Sequence, residues 1–157
     1  GVSGGERRRA AVGVELVASK RVLILDEPTS GLDGGAALAL CSLLAELSAD
    51  GRVVIACIHQ PPPEVLACFG DVLVLAPGGT IAYHGPREKL EDYVSQVARD
   101  LDSSVSAADR ILDAISNGDR RFVEAYPDTE NCRMMRTTIA KLRDCDRGCE
   151  VSLIIAK

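Results

Sequence analysis

Asp26 and Glu27 stand side by side at the end of the apolar run Val22-Leu23-Ile24-Leu25. Adjacent carboxylates at the carboxyl end of a buried strand are costly unless they serve a cation or a reaction. A second apolar run, Arg52 to Ile58, ends in His59. If the two strands are parallel, the imidazole and both carboxylates face one crevice at the sheet edge where α/β proteins bind ligands. In nucleotide hydrolysis an Asp so placed holds Mg²⁺, usually through water, and a following Glu can orient or deprotonate the attacking water. A neighbouring His can hydrogen-bond the γ-phosphate as charge redistributes. Singly, each residue has a plainer explanation, since a strand-end Asp often caps a helix and a lone His is usually a solvated loop residue.

A second constellation is Ser3-Gly4-Gly5-Glu6. Ser followed three residues later by Glu is a capping-box pattern, so a helix is expected from here to about Ala18. Two glycines let a backbone approach closely, and the free N–H groups of a helix start, with the Ser3 hydroxyl, suit an anionic phosphate. A merely well-capped helix would show the same residues.

The elements that must position these groups alternate in type. Val22–Leu25 reads as a buried strand, Ala36 to Ala49 as an Ala- and Leu-rich helix stopped by Asp50-Gly51, and Arg52–Ile58 as a second buried strand before Pro61-Pro62-Pro63. A crossover of more than a dozen residues implies a parallel, right-handed pair, hence an α/β fold. Asp71–Ala76 and Thr80–His84 flank Pro77-Gly78-Gly79 and predict an antiparallel edge hairpin. Pro86 opens a helix to about Arg99, and another is expected from Ala107 to Asn117, stopped by Gly118. Beyond Asp119 the pattern weakens, with Pro127, Asp128 and Asn131 ahead of a charged helix around Arg133 to Arg143.

The string Leu25-Asp26-Glu27-Pro28-Thr29-Ser30-Gly31-Leu32-Asp33 resembles the Walker B and D-loop segment of ABC ATPases at every position, and Val2-Ser3-Gly4-Gly5-Glu6 resembles the ABC signature motif. His59-Gln60-Pro61 and Tyr83-His84-Gly85-Pro86 are similar to the G subfamily of transporters. Ala107-Ala108-Asp109-Arg110-Ile111-Leu112-Asp113 resembles its Pro-Ala-Asp segment, with Ala107 in place of the usual Pro. The resemblance covers residues 1 to about 118 and implies the carboxyl-terminal part of an ATP-binding domain, with 119–157 as a variable linker toward a membrane domain. The implied fold is a partial P-loop NTPase-type domain, mainly parallel sheet with flanking helices and an edge hairpin.

The resemblance also implies roles. Asp26 would serve Mg²⁺, and Glu27 and His59 would act on the ATP of their own domain. Ser3, Gly4, Gly5 and Glu6 would contact ATP held by a second ABC ATP-binding domain, identical or different, and Asp33 would lie at the dimer seam. The further partner would be the transmembrane domain of the parent chain, which places the parent in a membrane with this part cytoplasmic. No Gly in the chain is followed by Lys, so the Walker A cradle is absent, and the glutamine loop ahead of the signature is expected to be missing too. The start at Gly1, directly on a motif, suggests a fragment that alone binds nucleotide poorly. A soluble ABC ATPase and a non-catalytic remnant are the competing readings.

Composition agrees. At 157 residues and 46% hydrophobic the chain can bury a real core, and with two Phe, three Tyr and no Trp that core is expected to be Val, Ile, Leu and Ala. A net charge of -5 argues against a nucleic-acid partner. Cys41, Cys57 and Cys68 sit in apolar segments as small hydrophobes, and Cys145 and Cys149 lack the further ligands a zinc site needs. No apolar run approaches the roughly 20 residues that cross a bilayer.

Overall fold

The computed structural model describes residues 10, 13, 20–143 and 153–156, of which 142–143 and 153–156 are described by backbone alone. The helix expected from Ser3 to Ala18 lies almost wholly outside the described residues. So do Ser3, Gly4, Gly5, Glu6, Cys145 and Cys149.

The chain divides into two compact units after Gly70. In the first, β1 (Val22–Asp26), α1 (Gly34–Ala49) and β2 (Val53–Ile58) form a strand–helix–strand unit, followed by a single helical turn, α2 (Pro63–Leu66). β1 and β2 pair in parallel, Val22 opposite Val53 through Asp26 opposite Cys57. β5 (Leu153–Ala156) pairs in parallel with the other edge of β2, Ile55 opposite Leu153.

The sequence explains α1 directly. Ala37, Leu40, Cys41 and Leu44 recur at helical spacing, and all four are buried. Leu40 and Leu44 pack on Leu23 and Val54, with Leu25, Leu32 and Leu47 at the margin of that cluster. Gly51, with φ 84°, lets the chain leave the helix, a conformation that costs any residue with a Cβ. That cluster is aliphatic, and Phe69 is also buried in this unit.

In the second unit, β3 (Asp71–Ala76) and β4 (Thr80–Pro86) form an antiparallel hairpin whose turn uses Gly78 and Gly79 at φ 86° and 79°. A 3₁₀ turn (Arg87–Lys89) leads into α3 (Leu90–Val97), then come α4 (Ala107–Ser116), α5 (Arg121–Ala125), a second 3₁₀ turn (Tyr126–Asp128) and α6 (Glu130–Arg143). Ser106 caps α4 by accepting the Asp109 N–H at 3.2 Å.

This unit differs from the aliphatic expectation. All three tyrosines, Tyr83, Tyr93 and Tyr126, are buried here, as is Phe122. The Tyr93 ring lies 5.1 Å from Tyr83 and 5.9 Å from Phe122, centroid to centroid, within the range where tilted aromatic pairs attract. Scarce aromatics are concentrated rather than dispersed. Residues past Gly118, expected as a linker, supply Phe122, Tyr126 and Cys132 to this core.

Candidate functional site

Strand pleating fixes which residues share a face. On β1, Leu23 is 5% exposed whereas its neighbour Ile24 is 77% exposed, so one face is covered and the other open. The parallel register extends this to β2: Val54, Ala56 and Ile58 are buried, while Val53, Ile55 and Cys57 are half-buried. Asp26 falls on the open side with Val22 and Ile24. Residue parity puts His59 there as well, two positions past Cys57, the register partner of Asp26. Asp26 and His59 thus end adjacent parallel strands on one face, and both are exposed.

Glu27 breaks the alternation. Pleating would send it to the covered face, yet it is exposed and its backbone is left-handed, φ 44°. Its N–H donates to the Cys57 carbonyl at 2.9 Å, so β1–β2 pairing continues up to the kink. Pro28, buried, anchors the chain just beyond it. The Ser30 N–H then donates to the Glu27 carbonyl and the Leu32 N–H to that of Thr29, each at 3.1 Å, with Gly31 at φ 73°. A non-glycine residue at positive φ costs on the order of 1–2 kcal/mol, so this kink is held by its surroundings.

Asp33 occupies the N-cap of α1. Its Oδ1 accepts the Ala36 N–H at 2.8 Å, and its backbone carbonyl accepts the Ala37 N–H at 2.9 Å. The Asp26–Asp33 segment therefore runs from a strand end through two consecutive turns into a helix cap.

Gln60 shares the backbone of Glu27, also at φ 44°. It follows His59 and precedes buried Pro61, as Glu27 follows Asp26 and precedes buried Pro28. Composition does not single it out. The signal was the pattern repeated at two strand ends, Asp-Glu-Pro and His-Gln-Pro.

Among the described residues no group of three or more His, Cys, Asp or Glu side chains is gathered to cage a metal ion. Cys41, Cys68 and Cys132 are free thiols. Burial, with Cys68 nearby, pushes the Cys41 thiol up to about 11, which makes it unreactive. His84, in the second unit, has its pKa lowered by burial against the opposing pull of Asp71, and its Nδ1 is buried without a hydrogen-bond partner.

A family model described as ABC-2 type transporter matches residues 59–125. A broad substrate specificity ATP-binding cassette transporter, ABCG2 of Mus musculus, is 41% identical over 123 residues, 78% of this chain and 18% of the relative. An uncharacterized ABC transporter ATP-binding protein/permease of Saccharomyces cerevisiae is 39% identical over 117 residues, 74% of this chain and 9% of the relative. ABC transporter G family member 28 of Arabidopsis thaliana is 38% identical over 115 residues, 73% and 10% respectively. The chain is therefore a relative of ABC transporters. Within that class its homologues are transporters of the G group. It spans less than a fifth of the length of these curated relatives.

The matched segment 59–125 contains helices of four, eight, ten and five residues. No helix among the described residues is long and apolar enough to cross a membrane.

Proposed function

We propose that this chain is part of the ATP-hydrolysing domain of a G-group ABC transporter, and that its site handles the magnesium and the attacking water of one bound ATP. The observation that carries this reading is the placement of Asp26 and His59 on one open face at the ends of adjacent parallel strands, with Glu27 turned out of the pleat beside them. Mg²⁺ is commonly held by one or two carboxylates plus phosphate oxygens and retained waters, and Asp26 suits that sparse donor set. When bound, the ion would neutralise charge on the β- and γ-phosphates. Glu27 would take the proton of the attacking water, and His59 would donate a hydrogen bond to the terminal phosphate.

Ser3, Gly4, Gly5 and Glu6 would meet the ATP of a second ABC ATP-binding domain, with Asp33 at the seam, and the membrane domain of the parent would carry the substrate. The parent is then a membrane transporter and this part of it cytoplasmic. The rival reading is a non-catalytic remnant that keeps the surface of the domain without its activity. The intact Asp26, Glu27 and His59 set favours the catalytic reading. The test is Glu27→Gln in the full-length protein, which should nearly abolish steady-state ATP hydrolysis while preserving ATP-driven dimerisation. Unchanged hydrolysis would overturn the proposal.

A further inference from the structure

Among the described residues, Glu27 and Gln60 are the only non-glycine residues at positive φ, and both have φ 44°. Each directly follows a candidate site residue at the end of one of two paired parallel strands, and each directly precedes a proline that is buried. Residues before proline favour extended backbone, so a left-handed residue there is doubly disfavoured. Backbone strain of this kind persists where the surrounding fold over-determines it, and it gathers at functional sites.

Chain alternation gives the kink its meaning. His59 shares the open face with Asp26, so regular pleating would send Gln60 back toward the covered face, as it would Glu27. Both are exposed instead. Glu and Gln are near-isosteric, so the same device offers a carboxylate at one strand end and an amide at the other. The Gln60 amide has no hydrogen-bond partner among the described residues. Its chemistry complements the neighbourhood: Asp26 and Glu27 are acceptors when ionised, whereas a Gln NH₂ supplies two donors without adding negative charge beside an anion.

We propose that Gln60 is a further catalytic residue of this site, its side-chain NH₂ donating to a terminal phosphate oxygen of the bound nucleotide beside His59. This rests on the nucleotide-hydrolysis reading above. A donor aimed at developing charge acts on turnover more than on binding, so loss of the amide lowers kcat with KM little changed.

The discriminating substitution is Gln60→Gly in the full-length protein, because glycine relieves the left-handed backbone while removing the amide. Its Tm should equal or exceed that of the unsubstituted protein while kcat falls about tenfold or more and KM stays within about twofold. Gln60→Asn, which keeps an amide and tolerates this backbone, should retain more turnover than Gln60→Gly. Full kcat in Gln60→Gly, with Glu27→Gln inactive, would overturn the role of Gln60 alone. A fall in both Tm and kcat would overturn it equally, showing a structural role. Absence of ATP hydrolysis in the unsubstituted protein, or full activity of Glu27→Gln, would overturn the underlying reading and this inference with it.

Discussion

The Tyr93 hydroxyl donates to the carbonyl oxygen of Phe122 at 2.8 Å and shares its proton with the carbonyl of Ala82 at 2.9 Å. One buried side chain on α3 thereby ties the hairpin strand β4 to α5. Burial, reinforced by the nearby Tyr126 and Tyr83 hydroxyls, pushes the Tyr93 pKa upward, so the group stays a donor.

Tyr93→Phe keeps the ring contacts and removes only that donor. Stability of the 157-residue chain should fall by about 1–3 kcal/mol, the cost of leaving buried carbonyls without their partner. Urea denaturation at neutral pH measures it. A midpoint unchanged from the unsubstituted chain would show that water replaces the hydroxyl.

These residues also mark what the sequence could convey. The buried face of α1 was legible from Ala37, Leu40, Cys41 and Leu44, and the hairpin from Pro77-Gly78-Gly79, because local periodicity and turn chemistry dictate both. The role of Phe122 and Tyr126 was not, since Asp119 onward lacks a strong period and its residues are buried only by contacts distant in sequence. α6 begins at Glu130 rather than near Arg133 because the Thr129 hydroxyl accepts the Cys132 N–H at 3.1 Å and caps it. β5 has too little local signal to be legible: the four apolar residues of 153–156 become a strand only through pairing with β2. At the candidate site, residue types and strand ends were readable, whereas positive φ at Glu27 and Gln60 carries no local signal, because neither is glycine or asparagine.

Arg110 and Glu91 form the second tie in this unit. The Arg110 side chain is 5% exposed and its guanidinium donates to the Glu91 carboxylate, which is 58% exposed. The Arg110 hydrogen bond comes first in holding the Glu91 carboxyl below its usual range, with partial burial opposing and Ser95 assisting. Because the folded pKa lies below the unfolded value near 4.5, this contribution is complete above about pH 4.5 and is lost as pH falls through the folded pKa. Solvent at Glu91 limits its size, so Glu91→Gln should cost about 1 kcal/mol at pH 7. The gap between variant and unsubstituted chain should close as pH falls through the lowered folded pKa of Glu91. Chemical denaturation at several pH values tests this, and a gap independent of pH would show that charge is not its source. Comparing the two proteins at each pH removes the parallel effects of Asp100, Asp102 and Asp119, whose carboxyl pKa values are likewise lowered by hydrogen bonds.

Asp33 allows a structural role to be separated from the proposed one at a dimer seam. Its Oδ1 satisfies the Ala36 N–H at the start of α1, a helix with no acidic residue in its first turn to compensate for its loss. Asp33→Ala should therefore destabilise the 157-residue chain by about 1 kcal/mol, whereas Asp33→Asn, an equally good N-cap, should keep the stability of the unsubstituted chain to within a few tenths of a kcal/mol. Thermal unfolding of both variants checks the cap. In the full-length protein the same pair divides the functions: if the carboxylate charge couples two ATP sites, Asp33→Asn slows hydrolysis despite unchanged stability. If capping is its whole contribution, Asp33→Asn hydrolyses ATP at the unsubstituted rate and only Asp33→Ala is impaired.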